Sequence, residues 1–200
     1  MAVGTTDGGP PVSTLQLMKQ LDYYLQRQRI AAARPWIPSG SHVLDVGCGD
    51  GALFRLEGGR IASGVGIDTL DGAVWPDGPY ERRTGRFPDA VDAGERFDAV
   101  VMLAVVEHLD DTELRQWADA VPQVLRLGGR LIITTPSPLV DHVLHWGIRL
   151  RLLDGMEAHQ HHGFDPRDVP TIFSTPGCAL ERWRRFELGL NHLFVFSTTA

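Results

Sequence analysis

Val43-Leu44-Asp45-Val46-Gly47-Cys48-Gly49-Asp50-Gly51 is the stretch whose reading decides the fold. The residues from His42 to Val46 are a short apolar run, wide enough for one buried strand. Gly47, Gly49 and Gly51 then let the backbone turn sharply and approach a ligand without Cβ clashes. Asp45 places a carboxylate near the strand's end, facing the crevice where open α/β sheets bind ligands. An acid at the mouth of such a loop suits a nucleoside ligand that carries positive charge better than it suits a pyrophosphate.

Taken alone, the loop admits a second reading. Gly47-x-Gly49-x-x-Ala52 also fits the dinucleotide pattern G-x-G-x-x-G/A, and Asp68 lies near the offset expected of a ribose-binding acid. The remainder of the chain has to separate the two.

At 200 residues the chain has room for one domain, or one domain with a modest appendage. Residues 1–12, rich in Gly, Thr and Pro, are expected to be a disordered tail before a single domain over 13–200. A hydrophobic content of 43% suffices for a proper core. The net charge of −6 argues against a broad nucleic-acid footprint. Cys48 and Cys178 make no spaced metal pattern, and a disulfide at Cys48 would obstruct the glycine loop. Both are expected as free thiols in a reducing compartment, with no metal site. No apolar run reaches membrane-spanning length, and no basic stretch precedes an apolar one at the N-terminus. The expected location is the cytoplasm.

In chain order, Ser13 or Thr14 caps a helix that Pro35 and Pro38 stop near Arg34, with Leu17, Leu21, Tyr24 and Leu25 at helical spacing. A short helical turn follows the glycine loop at 52–57, and a second strand covers 64–68. Residues 69–79 hold two glycines and two prolines where a crossover helix is usual, so they read as a loop. Residues 80–84 suit an edge strand. Residues 97–103 are a buried strand, and a helix begins at Asp111 or Thr112 and runs through Leu125. Pro122 is expected to kink it, Gly128-Gly129 to end it, and 130–135 to form another strand. Residues 139–153 have a helical stripe, 165–174 suit a short helix, and 180–188 with 192–197 read as a hairpin turning at Gly189. Strand, crossover and strand in repetition give a mainly parallel sheet.

Four stretches in this order resemble the class I S-adenosylmethionine (SAM) methyltransferases. They are 43–51, 66–70 (Gly-Ile-Asp-Thr-Leu), 97–109 (ending Val-Val-Glu-His-Leu) and 125–136 (Leu-Arg-Leu-Gly-Gly-Arg-Leu-Ile-Ile-Thr-Thr-Pro). The tail also looks like that of a group of short bacterial and archaeal methyltransferases, through His159, His161, Phe164 and the run 186–195. The resemblance implies an α/β, Rossmann-like, seven-stranded and mainly parallel sheet with an antiparallel last strand and helices on both faces. It implies SAM as cofactor, S-adenosylhomocysteine (SAH) as product, and a leading helix over the cofactor cleft. It places cofactor contacts at Asp45, Gly47, Cys48, Gly49, Asp68, Thr69, Leu70, Phe87, Leu103 and Ala104.

Asp68, ending the second strand, can accept both ribose hydroxyl protons. Asp45 and the backbone of Gly47 and Gly49 would receive the amino-acid end of SAM, and Ala104 would lie near the sulfonium. One departure stands out. Related enzymes often carry Gly-Asp after the third strand, its acid taking the adenine amino group. Here Gly85 is followed by Arg86 and Phe87, so backbone groups and apolar contact, with Phe87 as one candidate, are expected to hold adenine. Phe87 as plain core fits equally.

Methyl transfer from a sulfonium depends chiefly on alignment, and a base is needed only where the acceptor must lose a proton. His108, His159 and His161 are the candidates, histidine titrating near neutrality, and a polar loop explains His159 and His161 as well. The expected activity is methylation at O, N or C of a small-molecule or lipid-linked acceptor, with no nucleic-acid partner and no membrane span. A nicotinamide-dependent oxidoreductase and a non-catalytic methyltransferase-like subunit are the rivals.

Overall fold

Runs of β-branched and apolar residues become the central strands of one sheet. The computed structural model describes residues 12–70, 74–137 and 164–199. The strands are β1 His42–Val46, β2 Ser63–Asp68, β3 Tyr80–Thr84, β4 Phe97–Leu103, β5 Leu125–Pro136, β6 Cys178–Phe186 and β7 Asn191–Thr198. They lie in the order β3-β2-β1-β4-β5-β7-β6. The first five are mutually parallel, and β7 runs antiparallel between β5 and β6. The order reverses beside β1, which puts a ligand crevice at the carboxyl ends of β1 and β4.

Helices cover both faces, as buried central strands require. Helix α1 (Val12–Ala33) and helix α2 (Ala52–Glu57) lie on one face. There Ile30, Ala33, Leu53 and Phe54 pack on Val43, Val101 and Val195. Helix α3 (Asp111–Val124) and helix α4 (Val169–Phe173) cover the other, where Leu114, Trp117, Val121 and Phe173 pack on Leu44, Val100, Leu131 and Phe196. No described helix is long and apolar enough to cross a membrane.

Three expectations need correction or completion. The stripe read along α1 is not the buried face: Leu21 is 39% and Tyr24 54% exposed and Leu25 is half-buried, while Ile30 and Ala33, outside that stripe, are in the core. Residues 22–30 border the cleft described below, so that part of the helix does not pack solely on apolar neighbours. Helix α3 stops at Val124, not at the glycine pair. Leu125 turns extended (φ −86°, ψ 145°) and pairs with Phe97, so β5 begins at once. Gly128 (φ +76°) and Gly129 lie in an irregular stretch of that strand, after which pairing resumes at Arg130 with Ala99. The helix read over 139–153 lies outside the described residues.

The loop after β2 does the work of a missing crossover helix with one aromatic side chain. Trp75 donates from Nε1 to the Tyr80 carbonyl at 2.8 Å, packs edge-on against Phe54, and lies under the Arg82 guanidinium. It comes so close to β2 that a Cβ on Gly66 would overlap it, and would stand 2.9 Å from Cys48 Sγ. Gly66 pairs with Asp45, so this crowding sits beside the crest. Gly66→Val should therefore destabilise the protein by about 3 kcal/mol, the upper part of the overpacking range. Urea unfolding measures it, and a variant within 0.5 kcal/mol (about the spread of ordinary surface changes) contradicts the packing.

Candidate functional site

The glycine loop is held through its own backbone groups, by the Ile67 carbonyl and by the side chains of Asp68 and Arg82. Gly47 takes φ +74°, and a Cβ there would overlap the side chain of Val105 in the loop beyond β4. The N–H groups of Gly47 and Cys48 donate to the Ile67 carbonyl at 2.8 and 3.2 Å. Asp68, at the end of β2, accepts from Gly49 N–H at 2.8 Å and from Leu70 N–H at 2.9 Å, one on each carboxylate oxygen. Arg82 completes the clamp from β3, donating to the carbonyls of Gly49 (2.9 Å) and Leu70 (2.6 Å). Each Asp68 oxygen keeps further lone-pair capacity toward the crevice.

Two cavities of about 430 Å³ each open along this crest and share Gly47 and Ala104. The first is walled by Asp22, Gln26 and Arg29 of α1, by Asp45 and Cys48, and by Leu103. The second is walled by Asp68, Thr69, Arg86, His108, Glu113 and Trp117. Ala104 sits at their junction with φ +57°, an unfavourable region for a residue with a Cβ, and its N–H donates to the Thr134 carbonyl at 2.8 Å. Together the cavities form one elongated cleft over the carboxyl ends of β1, β2 and β4.

Its electrostatics are unusual for a folded interior. Asp45 is 4% exposed, and burial, with Asp68 and Asp50 adding repulsion, pushes its carboxyl up to about 8. Burial and the neighbouring Asp45 and Asp68 push the Cys48 thiol up to about 12, so it serves as an uncharged wall and not as a nucleophile. Burial lowers the Arg29 guanidinium from its ordinary value, against the opposing pull of Glu107, Glu187 and Asp22. Glu107, in the 3-10 turn Val106–His108 after β4, is pushed up to about 7 by burial, which outweighs its backbone hydrogen bond and Arg29. Asp45 thus keeps its proton at neutrality unless a cation is placed beside it.

The structure places Asp45, Gly47, Cys48, Leu103 and Ala104 on the first cavity, and Asp68 and Thr69 on the second. Gly49 and Leu70 enter through backbone N–H groups; the Leu70 side chain is 72% exposed. Phe87 needs correction. It is 2% exposed in the core, edge-on to Trp117 at 5.4 Å, and Trp117 is the aromatic side chain in the cavity wall. The irregular step from β3 carries Gly85 and Arg86 past the cavity while Phe87 turns inward. His108 is exposed and lines the second cavity, not the first. His159 and His161 lie outside the described residues.

Several wall residues escape a motif-based reading. Asp22, Gln26 and Arg29 recur at helical spacing, a polar face that was there to be seen beside the apolar one. Glu113 has a double role: it closes the capping box of α3 with Asp110, and its carboxylate pairs with Arg86 on the cavity wall. An acid thus stands beside the position where the Gly-Asp pair is lacking, supplied by α3.

Comparison with known proteins agrees with this geometry. A family model described as a methyltransferase domain matches residues 17–181. The mitochondrial ubiquinone biosynthesis O-methyltransferase of Bos taurus is 39% identical over 119 residues, which are 53% of this chain and 32% of the relative. The ubiquinone biosynthesis O-methyltransferase of Azorhizobium caulinodans is 30% identical over 125 residues, 54% of this chain and 49% of the relative. The match thus spans half or less of either relative. The crystal structure of the N-methyltransferase NodS from Bradyrhizobium japonicum WM9, in complex with SAH, superposes with a TM-score of 0.60. That match covers 91% of this chain and 87% of that one at 18% identity, a likeness of fold. The chain belongs to the methyltransferase domain family, and its fold is that of the class I SAM-dependent methyltransferases.

Proposed function

We propose that this chain transfers a methyl group from SAM to an oxygen of a small-molecule or lipid-like acceptor. The observation that carries the reading is the pairing of two acids with a backbone cradle. Asp45 is buried on one cavity and Asp68 faces the other, with Gly47 between them too crowded for a side chain. Choice of oxygen is supported by the two relatives from Bos taurus and Azorhizobium caulinodans, both O-methyltransferases. A nicotinamide dinucleotide fits less well, because its pyrophosphate brings no cation to pair with the buried Asp45.

These residues suit SAM. Asp45 would face its ammonium group, Arg29 and the glycine-loop backbone its carboxylate, and Asp68 its ribose hydroxyls. Trp117 offers a ring face and Glu113 an acceptor on the adenine side. When bound, the cofactor supplies an electrophilic methyl group on a cationic sulfur. The chain's own contribution is to fix that methyl against the acceptor, which is where alignment yields most of the rate. His108, His159 and His161 remain our candidates for receiving a proton from the acceptor.

Calorimetric titration tests the reading first: SAH should bind at micromolar or tighter affinity and NAD should not bind, and the reverse would overturn it. Asp68→Ala should weaken SAH by more than tenfold, in line with the loss of charge-assisted hydrogen bonds; a folded variant with unchanged affinity removes the ribose role. Asp45 gives a pH signature. The folded protein holds its proton up to about pH 8, whereas the unfolded chain releases it near pH 3.9. Folding therefore loses stability as pH rises through that window. Ligand ammonium favours the ionised acid, so SAH affinity should climb from pH 6 to about 8 with release of a proton, and Asp45→Asn should flatten the slope. Titrations in two buffers of different ionisation enthalpy read the proton directly.

A further inference from the structure

Beside the cofactor cleft lies a second group of buried polar side chains that cofactor binding does not use. Glu107 stands three residues beyond Ala104, is 4% exposed, and its Oε2 has no hydrogen-bond partner among the described residues. Asn191 begins β7, is 2% exposed, and pairs in register with Pro136 at the end of β5, so it stands at the same crest. Its Nδ2 donates to Glu187 Oε2, while Asn191 Oδ1 and Glu187 Oε1 are both buried without partners among the described residues. The Ser137 N–H donates to the Leu190 carbonyl at 2.7 Å, which ties the end of β5 to this turn. Arg29 links the group to the cleft: it lines the first cavity, its charge acts on both Glu107 and Glu187, and its Nε is buried and unpartnered among the described residues.

Above about pH 7, where Glu107 is ionised, its Oε2 and Asn191 Oδ1 are unsatisfied acceptors among the described residues, with Glu187 Oε1 beside them and one unpartnered N–H, on Arg29, in the same group. A buried acceptor without a partner costs about 1–3 kcal/mol. Such a set is stable only if something that donates protons completes it. The turn carrying Glu187 is itself held in a left-handed conformation (Glu187 φ +50°, Leu188 φ +56°), a strained way to direct a carboxylate inward.

We propose that Glu107, Glu187 and Asn191 form the recognition site for the acceptor's proton-donating head, a hydroxyl whose O–H donates to Glu107 Oε2, Glu187 Oε1 or Asn191 Oδ1. The proposal rests on the methyl-transfer reading and gives that site its substrate class. It also separates substrate from product. An acceptor hydroxyl that has been methylated has no proton left to donate, so the product leaves the buried acceptors bare and is held less well. Sites built to hydrogen-bond a hydroxyl reject analogues without it by factors on the order of 10⁴ or more, whereas apolar pockets discriminate weakly.

Phenol, benzylamine and anisole are suitable probes, anisole being phenol with its hydroxyl proton replaced by methyl. Each is titrated into the full chain saturated with SAH and followed by protein NMR shifts. Phenol should bind at least tenfold more tightly than anisole. Preference for benzylamine over phenol would overturn the hydroxyl assignment. Glu107→Met and, independently, Asn191→Leu should abolish the preference while SAH affinity stays within twofold and the melting temperature does not fall. Equal response to all three probes in the wild type, whether all bind or none does, overturns the proposal. So does a preference that survives in a folded Glu107→Met protein, or a loss of preference accompanied by a lower melting temperature, which would mark these groups as structural. Failure of SAH to bind the wild type would instead sink the methyl-transfer reading, and the probes can then be read on the free protein.

Discussion

The carboxylate of Asp68 holds the crest together. It receives one backbone N–H from the glycine loop and one from the loop after β2, while Arg82 takes the carbonyls of the same two residues. Charge-assisted hydrogen bonds of this kind are each worth about 1.5–3 kcal/mol, enough to fix a loop that has little side-chain packing of its own. The acid therefore shapes the cleft before any ligand arrives. A strand-end acid that organises the loop is also correctly placed to grip a sugar, so the structural and binding roles of Asp68 are one arrangement.

The crest is assembled against the ordinary rules of interior chemistry. Asp45 and Glu107 are carboxyls almost without solvent, Arg29 is a largely buried cation with an unpartnered nitrogen among the described residues, and Ala104 has a left-handed backbone. Each costs stability, and all lie within or beside the cleft, while the cores on the two sheet faces are built from apolar side chains. Strain and poor solvation concentrated in one region, next to well-packed layers, is how a binding surface is held ready by a scaffold. The shortened connection after β2 fits the same economy: Trp75 fills the space and keeps contact with Gly51 and Gly66 at the glycine loop.

Much of this was legible in the residues themselves. β1 and β4 have the bounds that apolar runs and glycine punctuation indicate, because central strands buried on both faces leave little freedom in where they start and stop, and the edge strand β3 and helix α2 also have the bounds expected of them. Less local features were not legible. Gly128-Gly129 looks like a helix stop, but the pairing of Leu125 with Phe97 ends the helix at Val124, one residue before the expected Leu125. Phe87 and Trp117 could have exchanged places on composition alone; which of them faces the cavity depends on how β3 leaves the sheet. The role of Arg29 needs α1, β4 and the β6–β7 turn to meet in space, and no spacing in the chain announces that meeting. Asn191 gave the same difficulty, being one polar residue at the start of an apolar strand.

The central claim is that one elongated cleft takes a cationic sulfur nucleoside across the carboxyl ends of β1, β2 and β4. A crystal structure of the chain grown with SAH tests it most directly. The ribose hydroxyls should lie on Asp68 and the amino-acid end between Asp45 and Arg29, with the thioether sulfur beside Ala104. A nucleoside bound elsewhere, or in the same cleft with its ribose away from Asp68, would contradict it.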